Sequence, residues 1–69
     1  MQRTPVSSNN LRSVGYDLGT QTLEISFKSG GIYQYYYVPE NIYQSLMTAV
    51  SKGKYFAAYI KNKYRHRRI

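Results

Sequence analysis

The side chains able to transfer protons, act as nucleophiles or hold a metal are few and scattered in this sequence. There is one histidine, His66, three carboxylates, Asp17, Glu24 and Glu40, and no cysteine. A structural zinc site needs four Cys, His or carboxylate ligands at suitable spacings, a set this chain does not supply. Paired-carboxylate chemistry needs two acids held together, whereas Asp17 falls by a turn, Glu24 on a strand and Glu40 at a helix start. Serines and tyrosines become nucleophiles only beside an activating base. His66 lies among Tyr64, Arg65, Arg67 and Arg68, where it reads as a surface residue. Neither Gly30-Gly31 nor Ser51-Lys52-Gly53-Lys54 has the spacing of a phosphate-binding Walker loop. The expectation is no catalytic residue, no metal and no cofactor.

The cations form a clearer pattern. Ten Lys and Arg residues against three acids give a formal charge of +7, and no acid follows Glu40. Lys61, Lys63, Arg65, Arg67 and Arg68 fall within eight residues. If a helix continues through this stretch, Lys54, Lys61, Arg65 and Arg68 project from one side at offsets of seven, four and three. Such a stripe is an electrostatic footprint for a phosphate backbone, with lysines as point charges and arginines as bidentate donors. A second cationic feature is the helix start at Ser51–Lys54, whose free N–H groups favour an anion. Lys52 and Lys54 flank it, and Gly53 either admits a ligand to the backbone or relieves packing between helices. A third feature is Ile32-Tyr33-Gln34-Tyr35-Tyr36-Tyr37, because strand tyrosines can stack on exposed bases.

These residues need elements to position them. Residues 1–10 are polar, with Pro5 and Ser7-Ser8-Asn9-Asn10, and read as a flexible arm. Leu11–Asp17 reads as a strand followed by a turn at Leu18–Gln21. Thr22–Lys28 alternates apolar and polar residues, placing Leu23, Ile25 and Phe27 on one face. Ser29-Gly30-Gly31 supplies a three-residue hairpin loop, which pairs Lys28 with Ile32 and Phe27 with Tyr33. Tyr33, Tyr35 and Tyr37 then share the core face, and Ile32, Tyr36 and Val38 lie opposite. Tyr36 is left as the exposed stacking candidate. Pro39 ends the strand and suits a first helical position, with Glu40 favourable in the first turn. Ile42, Tyr43, Leu46, Met47, Ala49 and Val50 form an apolar helical stripe. Ser51 is a natural N-cap for a second helix running to about Tyr64. The expected fold is α+β: a three-stranded antiparallel meander followed by two helices packed on one sheet face, over residues 11–64, with residues 65–69 as a basic tail.

A 69-residue chain without disulfides supports one small domain. Nine tyrosines and two phenylalanines supply bulk for its core. The first five residues lack the apolar segment of a signal peptide, and no apolar run approaches a membrane span, so a cytoplasmic protein is expected.

At this point the sequence resembles the KTSC domain family, small domains found alone in bacterial and phage proteins and at the C-terminus of some lysyl-tRNA synthetases. The matching stretches are Ser13-Val14-Gly15-Tyr16-Asp17, Leu23-Glu24-Ile25-Ser26-Phe27, Gly31-Ile32-Tyr33-Gln34-Tyr35, Val38-Pro39 and Ser51-Lys52-Gly53-Lys54-Tyr55-Phe56, with Ile60 and Tyr64. The central Tyr-x-Tyr falls on Tyr33 and Tyr35. Family members often carry asparagine after the phenylalanine, where this chain has Ala57. The family has no established activity, and its attachment to tRNA synthetases is what implies RNA ahead of DNA.

Taken together, the residues and the resemblance predict a non-enzymatic module whose partner is a nucleic acid or another polyanion. The residues expected to carry it are Lys52, Gly53, Lys54, Lys61, Lys63, Arg65, Arg67, Arg68 and Tyr36, with Lys52, Lys54, Lys61 and Arg65 on one continuous surface. The alternative is a protein-interaction module, such as a homodimer, using an open strand edge or the sheet face around Ile32, Tyr36 and Val38.

Overall fold

The computed structural model describes all of residues 1–69 and contains five strands and two helices. Strands β1 (Thr4–Pro5), β2 (Leu11–Asp17), β3 (Thr22–Phe27), β4 (Ile32–Tyr35) and β5 (His66–Arg68) form one antiparallel sheet in the order β1-β2-β3-β4-β5. Helices α1 (Glu40–Thr48) and α2 (Lys52–Tyr59) pack on one face. The α+β architecture and the central meander are as expected, but both chain ends add a strand. The N-terminal arm pairs Thr4 with Val14 and Pro5 with Ser13. The basic tail pairs Tyr35 with His66, Gln34 with Arg67 and Tyr33 with Arg68.

The second helix stops at Tyr59 rather than reaching Tyr64. Ile60 caps it at φ −122°, and the N–H groups of Ile60 and Lys61 both donate to the Phe56 carbonyl at 2.9 Å. The chain then reverses and satisfies the outer edge of β4, with Tyr36 N–H donating to the Arg65 carbonyl and Ile69 N–H to the Ile32 carbonyl. Sequence periodicity does not carry this non-local demand, since Phe56, Ile60 and Tyr64 fit a continued helix equally well.

The β3–β4 loop is Lys28-Ser29-Gly30, closed by Gly30 N–H to the Phe27 carbonyl at 3.0 Å. Gly30 has φ 108° and Gly31 φ 89°, a region where side chains are strained. Ser26 therefore pairs with Ile32 and Ile25 with Tyr33, two residues from the expected register. A two-residue shift preserves facing, so Leu23, Ile25, Tyr33 and Tyr35 still look towards the helices. The core joins Leu11, Val14, Leu23, Ile25 and Tyr35 to Val38, Leu46, Phe56 and Ile60. Val38, expected on the outer face, is fully buried there. The alternation ends at Tyr37, whose φ of 58° turns the chain so that Val38 enters the core and Tyr37, as a residue 75 % exposed, faces solvent. Tyr16 stacks on Tyr43 of α1 at 4.8 Å, and its hydroxyl donates to the Val38 carbonyl. Burial, with Glu40 and Asp17 nearby, raises the Tyr16 pKa.

On the other face, the N-terminal segment lies over Gly15, where a Cβ would stand 2.7 Å from the Gln2 carbonyl oxygen. Arg3 donates to one oxygen of buried Glu24, and Gln34 donates to the other at 2.9 Å. The Tyr36 hydroxyl donates to Gln34 in turn. Burial pushes the Glu24 pKa up. The hydrogen bonds from Gln34 and Arg3, with the charges of Arg3 and the terminal ammonium, outweigh it and hold the carboxyl below its ordinary range. The edges of the sheet are short and carry Pro5 or the arginines of β5, which are features that discourage edge-to-edge pairing.

Candidate nucleic-acid interface

Strand direction sorts the charges into two ends of the molecule. β2 starts, β3 ends, β4 starts and β5 ends at one end, so Arg12, Lys28 and Arg68 gather there. Arg12 is the extra residue of a β-bulge between Leu11 and Ser13 and is exposed; bulges re-aim side chains in this way. Helix α1 leaves Val38, which is bonded to Gln21 at the opposite end, and delivers Val50 and the start of α2 to the cationic end. Asp17 and Glu40 stay behind with the turn at Leu18–Gln21 and the start of α1.

At the cationic end lies a groove of about 760 Å³ between the Ser7–Asn10 segment and the start of α2. Lys28, Lys52 and Lys54 line it with serine and asparagine side chains, and no carboxylate does. Ser51 accepts from Lys54 N–H at 3.3 Å as the N-cap. Lys52 Nζ donates to the Ala49 carbonyl at 3.1 Å and so closes the C-terminus of α1. Gly53 gives room to Asn10 rather than to a ligand, because a Cβ there would stand 2.7 Å from Asn10 Oδ1. Lys28 and Lys54 have no carboxylate partner; of the ten cations only Arg3 has one.

The other expected cations are not brought to this groove. Helix α2 rises about 12 Å over its eight residues, carrying Lys61, Lys63 and Arg65 to the end that holds Asp17. The expected single basic helix face over Lys54, Lys61, Arg65 and Arg68 is therefore broken. Arg67 and Arg68 point to opposite sides of β5: Arg67 sits beside Gln34, and the Arg68 guanidinium lies 6.0 Å from the Tyr33 ring centre. His66 lies over Tyr35 at 5.5 Å rather than in a loose tail. Tyr36 is half-buried and shares a second hollow with Thr20, Thr22, Tyr37 and Arg65. Lys28 and Arg12 were missed from the sequence, since only strand order shows that a hairpin lysine and a bulge arginine share an end. Histidine and the acids stay dispersed, with no group of three able to hold a metal ion. No helix is long and apolar enough to cross a membrane.

The sequence pattern of the KTSC domain matches residues 7–64. The chain belongs to the KTSC domain family. A crystal structure of a KTSC domain protein from Yersinia pestis superposes with a TM-score of 0.97 at 50 % identity, covering 99 % of this chain and 96 % of that one. An uncharacterized protein of Stutzerimonas stutzeri is 43 % identical over 100 % of this chain and 99 % of its own length. A lysine–tRNA ligase of Nostoc punctiforme is 37 % identical over 86 % of this chain, which spans only 10 % of that enzyme. None of these matches indicates an enzymatic family for the KTSC domain itself. Ala57 lines the lysine groove.

Proposed function

We propose that this KTSC domain is a non-enzymatic module that binds the phosphate backbone of nucleic acid through its cationic end. The observation that carries the reading is the groove lined by Lys28, Lys52 and Lys54 with no carboxylate, on a chain of net charge +7. Arg12 and Arg68 extend the same field along the sheet end. Lysines held without acidic partners lose no internal ion pair when they take up phosphates, and they release condensed counterions from the nucleic acid. RNA is placed ahead of DNA because a related segment forms part of proteins named lysine–tRNA ligases.

The test is fluorescence anisotropy with a short single-stranded RNA, a DNA of the same sequence and rising salt. Three lysines on three phosphates predict a log–log salt slope of about −2 for a single strand. Lys28→Ala and Lys54→Ala each reduce the slope by about 0.7 and leave the fold intact, because neither side chain is used internally. Binding that ignores salt, or that both lysine variants retain unchanged, refutes the assignment.

A further inference from the structure

The hollow at the opposite end has a different chemistry. It is an open depression of about 400 Å³ lined by Thr20, Thr22, Tyr36, Tyr37 and Arg65, so a ligand there lies against the surface and is not engulfed. Tyr37 holds φ 58°, a left-handed conformation that is costly for tyrosine, free of that cost for glycine and better tolerated by asparagine, whose short side chain can bond locally. The residue is 75 % exposed, so packing repays little of that cost. The turn itself needs only the backbone conformation, which glycine would adopt without strain. A strained residue presenting an aromatic face to solvent is thus better explained by what the ring contacts than by folding.

The rest of the hollow narrows the chemistry of that contact. Arg65 has no carboxylate partner. Thr20 donates its single proton to Asp17 at 2.9 Å, so the 2.9 Å contact between the threonine hydroxyls uses the Thr22 proton. Thr20 and the buried Thr22 line the hollow, and with both protons used inside the protein, either hydroxyl can only accept from a ligand. An aromatic face, two acceptors and a guanidinium complement a flat ring with N–H groups on its edge and a phosphate at its side. We infer that this hollow takes an unpaired nucleotide of a single strand, its base on Tyr37 and its phosphate on Arg65. The assignment rests on the nucleic-acid reading above and adds a base-stacking site remote from the lysine groove.

The experiment compares wild type, Tyr37→Gly, Tyr37→Asn, Tyr37→Phe and Lys28→Ala against a short single-stranded RNA and a duplex of equal length. Stacking on one ring predicts that the Gly and Asn variants lose about five- to 150-fold in single-strand affinity. Tyr37→Phe keeps that affinity, and duplex affinity is unchanged in all Tyr37 variants. The Gly variant also melts at higher temperature than wild type, an opposite sign that a merely structural tyrosine cannot give. Equal single-strand affinity in wild type and both Tyr37→Gly and Tyr37→Asn, with Lys28→Ala weakened, overturns the hollow and leaves the groove standing. Wild type that binds neither RNA overturns both.

Discussion

Glu24→Gln keeps the shape of a buried side chain and removes its charge, which makes it a sharp probe of what secures the N-terminal segment. The carboxylate accepts from Arg3 on one oxygen and from Gln34 on the other, with only 7 % of its side chain exposed. Hydrogen bonds to a charged group contribute about 1.5–3 kcal/mol each and neutral ones about 0.5–1.5, so the exchange costs about 2–3 kcal/mol before relaxation. Two features reduce it. The Arg3 side chain is 31 % exposed and can turn to water, and this sheet face has no helix layer, so the effective dielectric is nearer ~20 than ~4. Gln34 can also flip, donating to the Tyr36 hydroxyl and accepting from the new amide. The net loss is about 1–2 kcal/mol, or about 4–16 °C in Tm for a domain of this size. Glu24→Ala, which leaves neither donor an acceptor, costs about 3 kcal/mol.

The pH dependence follows with a definite sign. The folded pKa of Glu24 lies below its ordinary value, so its stabilisation is complete above the unfolded carboxylate pKa of about 4.3 and is lost as pH falls through the folded pKa. Thermal unfolding followed by circular dichroism at about pH 7 and about pH 3 should therefore show a wide gap between wild type and Glu24→Gln that narrows in acid. A gap of equal size at both pH values refutes the reasoning. So does a glutamine variant as stable as wild type near neutrality, which would mean that desolvation cancels the pairing.

Gly15→Ala places a methyl group 2.7 Å from the Gln2 carbonyl oxygen; it should cost about 1–3 kcal/mol and speed hydrogen exchange of the β1–β2 amides. Ser51→Ala removes the acceptor of Lys54 N–H and should destabilise the domain by about 1 kcal/mol in urea unfolding. Burial, then the neighbouring Tyr33, pushes the Tyr35 pKa up to about 12. Ultraviolet titration should find one tyrosine ionising near 12, and stability should be intact below about pH 10 and lost as pH rises from there through 12.

Several features of this KTSC domain were legible from residue order alone. Alternation in Thr22–Phe27 and Ile32–Tyr35 fixed which side chains face the helices, and it did so even though the loop lies one residue earlier than expected, because facing depends only on parity. Glu40 and Ser51 marked the helix starts, since caps and first-turn residues act within one turn of themselves, whereas Pro39 stands just outside α1 as its extended N-cap and β4 already ends at Tyr35. The excess of cations and the dispersal of the acids were equally plain. Tertiary structure alone decided which cations meet. Lys28, Lys52 and Lys54 share a groove while Lys61 and Arg65 do not, because the end of the sheet a residue reaches depends on strand order and helix direction. It also drew both chain ends into the sheet, where the open edges of β2 and β4 needed partners, and turned Tyr37 outward. Local pattern governs the face a side chain takes; non-local hydrogen bonding governs its neighbours.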